Sequence, residues 1–194
     1  MSKEKMGLLV MAYGAPYNEG DIERFYTHIS GGRKPSKEAV SALTKKYGTI
    51  GGISPLAEIT KKQANALRDK LNERQGQLEF SLYIGLKHIE PYIEDAVVQM
   101  KKDGIKEAVS IVLTPHYSKY GVNTYIARAV GKAKEIGGLT IHAIKQWHNE
   151  PGFIDYWVNE IKKIYEKMSN EDKEGTMLIM SAHSLPKHFV QNDD

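Results

Sequence analysis

The chain has 194 residues and no cysteine. Disulfides, thiolate zinc sites and cysteine-held iron–sulfur clusters are therefore excluded within these residues, and a reducing, cytoplasmic setting is expected. Long apolar runs are also missing. The stretch Gly7-Leu8-Leu9-Val10-Met11-Ala12 falls far short of the ~20 residues a membrane span needs. It is also too short for the apolar core of a signal peptide, so neither a membrane segment nor a leader is expected. Charge of one sign is scarce. Lys+Arg 27 against Asp+Glu 24 gives +3, too small an imbalance to argue for nucleic acid or an anionic membrane as partner. No G-x-G-x-x-G, G-x-x-x-x-G-K-[ST] or G-x-S-x-G pattern occurs, which removes the usual phosphate loops and the serine-hydrolase elbow.

What remains is the composition of an ordinary globular protein, 41% hydrophobic and 26% charged, which excludes collagen-like, coiled-coil and wholly disordered chains. At ~150 residues per domain the length allows one ample domain, or one and part of another. Five short apolar runs, residues 7–12, 80–85, 108–113, 139–144 and 177–181, read as buried strands, because near-continuous apolarity suits parallel strands covered on both faces. Amphipathic helical patterns lie between them: 19–29, 37–47, 56–74, 89–103, 122–136 and 151–168. In the fourth, Pro91 suits a first helical turn and Gly104 a stop. Strand–helix alternation predicts an α/β fold, a Rossmann-like open parallel sheet with helices on both faces. The helices in 19–74 form a long excursion outside the sheet, of the kind that builds a lid or cleft wall.

The strands end in short polar turns, four of which carry histidine: His88, His116, His148 and His183. Ligand clefts in open α/β sheets lie beyond the carboxyl ends of the strands. Tyr13, His88, His116 and His183 are therefore expected near one edge, with His148 a few residues past its strand. His183 directly follows an apolar run and is flanked by Ser181 and Ser184. Such an imidazole serves as a metal ligand, a proton acceptor, or a hydrogen-bonded residue that orders its loop. Tyr13 precedes Gly14, which permits close approach of a flat ligand; its phenol is suited to stacking or metal ligation, or to an ordinary place on the rim. Gly51-Gly52-Ile53-Ser54-Pro55 leads into a helix, where free N–H groups and the Ser54 hydroxyl fit a carboxylate or a simple cap.

Five blocks in order carry a resemblance: Met6 to Gly14 with Pro16; Gly51 to Leu56; Tyr83 to His88 with Pro91; Leu113 to Ser118; and Ser181 to Pro186. Together they resemble the ferrochelatases, most closely the soluble type of Gram-positive bacteria that uses coproporphyrin III. The resemblance covers essentially the whole chain. It implies the chelatase fold, insertion of Fe²⁺ into coproporphyrin III in haem biosynthesis, and a macrocycle bent in a cleft between two Rossmann-like halves, so that its nitrogen lone pairs are exposed. Porphyrin and ferrous iron are then the substrates, with no tightly bound cofactor and a monomer expected. By the same resemblance His183 is the catalytic, metal-side residue and Tyr13 the axial ligand of product iron on the opposite face. Lys46, Tyr47, Ser54 and Tyr125 match positions that contact propionates or the macrocycle edge, and His88 is a nearby polar residue of the substrate site. The basic loop 27–35 suits an anionic substrate. Ser30 stands where soluble relatives tend to have an arginine.

Chains of that family run well past this length, and the carboxylate that partners the histidine lies in the part without a counterpart here. The resemblance thus implies residues 1–170 as an N-terminal half and 171–194 as the first strand and loop of a truncated second half. Two other readings stand beside it: a cobalt or nickel chelatase acting on sirohydrochlorin, and a non-catalytic tetrapyrrole- or haem-binding module.

Overall fold

The computed structural model describes residues 3–74 and 76–182. Four parallel strands form one sheet in the order β2-β1-β3-β4: β1 Glu4–Ala12, β2 Leu78–Leu86, β3 Glu107–Val112 and β4 Thr140–Ile144. All four lie on expected apolar runs. β1 is central, and both of its faces are apolar, with Leu8, Leu9, Val10 and Met11 each at most 2% exposed. Period-2 alternation sends Leu8 and Val10 to one face and Leu9 and Met11 to the other.

The first face is covered by α3 (Leu56–Arg74), whose Ala64 packs with Leu8 and Val10. The second is covered by α4 (Ile93–Lys102) and α5 (Val122–Ile136), through Ile93, Val97 and Met100 and through Val122, Ile126 and Ala129. Helices on both faces of a parallel sheet are the arrangement expected from the strand–helix alternation. A third cluster, Ala12, Phe25, Leu86 and Ile89, closes the carboxyl end of the sheet. Phe25 reaches it from α1 (Ile22–Ile29), which follows a 3-10 turn at Glu19–Asp21. α2 (Lys37–Gly48) starts at Ser36, whose hydroxyl accepts the Ala39 N–H at 3.2 Å, and it buries no residue. Of the excursion expected to form a lid, α3 is therefore a sheet-covering helix, while α2 stands outside the core.

Two local expectations are corrected. α4 begins at Ile93, not near 89, so Pro91 lies before the helix and not in its first turn. The chain needs 87–91 to turn back over the sheet: Leu86 N–H donates to the Pro91 carbonyl at 2.8 Å, and the helix starts only where Asp95 accepts the Tyr92 N–H at 2.9 Å. Residues 177–181, expected as a fifth strand, take no strand conformation. Met177, Ile179 and Met180 are at least 77% exposed, and a strand exists only with a neighbour to complete its ladder. Before them α6 (Pro151–Glu166) has Pro151 in its first turn, as its missing N–H favours, and a short α7 (Asn170–Gly175), absent from the sequence reading, is capped by Ser169. α6 buries no residue, and Ile154, Trp157 and Ile164 are 47%, 52% and 62% exposed. Among the described residues no helix is long and apolar enough to cross a membrane.

Candidate functional site

The chain enters the sheet at its centre, then adds β2 on one side and β3 on the other. Open α/β sheets carry their ligand crevice at such a reversal, beyond the carboxyl ends of the strands, here those of β1 and β3. Tyr13 stands there, one residue past β1, and is 44% exposed. Gly14 makes the following turn with φ +86°; a Cβ there would lie 2.8 Å from Ile89 Cγ2, so a side chain is excluded by contact as well as by backbone conformation.

The Tyr13 ring packs on the His88 imidazole, centroids 4.5 Å apart and planes at 53°, with Phe25 edge-on at 6.2 Å. His88 comes from the loop after β2, which is tied to the β1 end by two backbone bonds, Lys87 N–H to Ala12 O at 2.9 Å and His88 N–H to Tyr13 O at 3.2 Å. Burial, then the positive charges of Lys87 and further neighbours, lower the His88 pKa to about 4; the ring is neutral at pH 7. Burial likewise raises the Tyr13 pKa, with a contribution from nearby Tyr47, so the phenol keeps its proton. Tyr125, nearly buried on α5, is pushed up to about 12 by burial and by Tyr13. Tyr13, Tyr47, His88 and Tyr125 thus belong to one electrostatic neighbourhood.

A cation completes it. Lys87 Nζ donates to Thr124 Oγ1 at 2.8 Å and sits 4.7 Å from the centre of the Tyr125 ring. Burial and Arg128 lower its pKa. Arg128 grips both Glu94 oxygens at 2.7 and 2.6 Å and donates to the Lys87 carbonyl at 2.8 Å. The sequence reading passed over Lys87, Thr124 and Arg128. Their signal was weak: Lys87 adjoins His88, and Arg128 lies one helical turn past Tyr125.

The other candidates are placed differently. Lys46 is exposed in the last turn of α2 beside half-buried Tyr47. Ser54 is half-buried in the turn before α3, where its hydroxyl accepts the Leu56 N–H at 3.2 Å; it already serves as a cap. His116 lies past the carboxyl end of β3, on the expected edge of the sheet. Its ring stacks on His148, centroids 4.8 Å apart, in the loops after β3 and β4, because Trp147 bonds back to Val112 O and Pro115 O. His183 lies outside the described residues. Among the described residues no group of three or more His, Cys, Asp or Glu side chains is arranged to hold a metal ion. Chemically, the crevice offers an aromatic, largely uncharged wall with one half-buried ammonium, suited to a flat π-system carrying acidic groups.

The fold defines a protein of the open α/β class, with an aromatic cluster as candidate site at the switch point of its sheet. The family is then specific: the ferrochelatase family model matches residues 5–194, and the chain belongs to that family. It is 57% identical over 194 residues to the coproporphyrin III ferrochelatase of Geobacillus sp. (strain WCH70), covering 100% of this chain and 63% of that protein. It is 56% identical over 194 residues to that of Bacillus subtilis (strain 168), again covering 100% and 63%. To coproporphyrin III ferrochelatase 1 of Bacillus anthracis it is 55% identical over 192 residues, or 99% and 62%. The chain spans about 63% of the length of these curated relatives.

Proposed function

We propose that this chain supplies the Tyr13 wall of a lyase that inserts Fe²⁺ into coproporphyrin III in haem biosynthesis. The observation that carries this reading is the Tyr13–His88 ring pair set beside Tyr125 and the Lys87 ammonium at the carboxyl edge of the sheet, in a chain 55–57% identical to proteins named for that reaction. Inserting a dication into the free-base macrocycle releases two pyrrole protons. A wall that holds no imidazolium next to the incoming metal fits that charge change, and the neutral His88 meets the condition. Tyr13 lies on one face of the macrocycle and offers its phenol oxygen to product iron as axial ligand. Lys46, Tyr47, Ser54 and Tyr125 receive the propionates and ring edge, and the coproporphyrin's four carboxylates favour the basic side chains of α2 and its preceding loop. His183 is assigned the opposite, metal-side face as proton acceptor.

In this reading residues 1–170 form one half of the cleft and 171–194 open the second, whose packing partner is suggested by the exposed apolar faces of α6 and of residues 177–180. The protein acts in the cytoplasm as a monomer, on porphyrin and ferrous iron, with no resident cofactor and no nucleic-acid partner.

The test is a steady-state assay with Fe²⁺ and coproporphyrin III, on this chain and on the chain extended to the length of its relatives. Turnover that disappears in His183→Ala supports the enzyme. Tight haem binding with no turnover in either form favours a tetrapyrrole-binding module. Turnover only with sirohydrochlorin and Co²⁺ or Ni²⁺ favours the related chelatase. Haem binding unchanged in Tyr13→Phe removes the axial-ligand assignment.

A further inference from the structure

His28 lies in the last turn of α1 and is not among the individual site residues drawn from the sequence. Its Nδ1 is 3.0 Å from Nδ1 of His88. Between two ring nitrogens at that distance there is room for one hydrogen, so one ring donates and the other accepts. The surroundings decide which. His28 sits in the last turn of α1, at the carbonyl end of the helix. It is near enough to Glu94 to interact with its carboxylate, and its ring stacks on Tyr92, centroids 5.1 Å apart at 20°. His88 instead faces the positive charges of Lys87 and Arg128 and is boxed in by Tyr13 and, at 6.4 Å, by Phe25.

We propose that His28 is a positioning residue: it donates Nδ1–H to His88 Nδ1, holds His88 in the Nε2–H tautomer and keeps its ring packed on Tyr13. Both His88 nitrogens are then engaged, one lone pair by His28 and the other nitrogen by its own proton. His88 presents an N–H to its surroundings and has no free lone pair to offer a metal. The consequence rests on the proposed function. An imidazole beside Tyr13 that could ligate iron would compete with the macrocycle for the metal, and His28 removes that competition by occupying the ligating atom.

The experiment uses the chain uniformly labelled with ¹⁵N and records long-range ¹H–¹⁵N spectra of the imidazoles, with Zn²⁺ as the metal probe. In the wild type the His88 signals are those of the Nε2–H form and do not shift with Zn²⁺. In His28→Ala they average between tautomers, and Zn²⁺ affinity at His88 rises roughly tenfold or more. In His28→Asn, whose amide nitrogen stands close to the place of the lost Nδ1, the wild-type pattern returns; in His28→Leu it does not. A bare Nε2 on His88 in the wild type, or a His88 spectrum unchanged in a folded His28→Ala, overturns the inference. Coproporphyrin III binding is measured on the same samples. Its absence in the wild type counts against the proposed function, while the histidine spectra decide the role of His28 on their own.

Discussion

Arg128 on α5 holds Glu94 on α4 through two parallel hydrogen bonds, 2.7 and 2.6 Å, and reaches the Lys87 carbonyl with its remaining amino group. One guanidinium therefore joins two helices to the loop that carries Lys87 and His88. The side chains are only 26% and 35% exposed, so this is a stronger pair than the surface bridges elsewhere in the chain. Arg128→Ala strands a partly desolvated carboxylate and is expected to cost about 1–3 kcal/mol, read as a fall in the urea midpoint. Arg128→Lys recovers less than half of that, because an ammonium cannot span both oxygens and the carbonyl.

Acid weakens the same structure through two groups. Hydrogen bonding to Arg128 holds the Glu94 pKa below its ordinary 4.5. Its contribution is complete above about pH 4.5 and is lost as pH falls through the lower folded value. His88, with its pKa lowered from 6.5 to about 4, binds its proton less readily folded than unfolded, so stability declines as pH falls from about 6.5 towards 4. His88→Asn removes that slope, while Glu94→Gln removes the part at lower pH. Denaturant midpoints measured at half-unit pH steps separate the two; a wild-type midpoint level between pH 6.5 and 4.5 would contradict the His88 assignment.

Gly14 turns the chain directly after Tyr13, with φ +86° and no room for a Cβ beside Ile89. Gly14→Ala is expected to lose about 1–3 kcal/mol and to displace the Tyr13 ring from His88. Thermal melting reads the first effect, and near-ultraviolet circular dichroism of the tyrosines reads the second.

The outer face of α6 behaves differently. Ile154→Lys with Ile164→Lys changes side chains 47% and 62% exposed, so the chain's stability moves by less than about 0.5 kcal/mol for each. Fluorescence of an apolar surface-binding dye falls, because the exposed apolar surface shrinks. A loss of several degrees in Tm would mean that this face is already packed.

The strands were readable because their apolar runs are short, rich in Val, Ile and Leu, and punctuated by glycine, and burial on both faces of a parallel sheet leaves that pattern whatever the partners. The bounds of α3 and α5 were readable too, from Pro55 and Gly137 at their ends. The start of α4 was not. Pro91 fits a first helical turn locally, and only the bond from Leu86 to its carbonyl, made across the sheet edge, keeps it outside the helix. Residues 177–181 have a strand's composition, but composition does not supply a neighbouring ladder.

The candidate site divides in the same way. Tyr13 and His88 were legible as polar residues at strand ends, since chain direction in a parallel sheet puts those ends on one side. His116 carried the same signal, yet its ring stacks on His148. The sequence by itself therefore determined the layer architecture, the sheet's carboxyl edge as the place of the candidate residues Tyr13 and His88, and the family, because these depend on hydrophobic periodicity and ordered local motifs. Tertiary structure alone decided that His28 meets His88 across sixty residues, that Arg128 binds Glu94 and the loop at once, and that Lys87 lies over Tyr125. Those contacts join separate elements, and their directionality is set by packing distances that no linear spacing encodes.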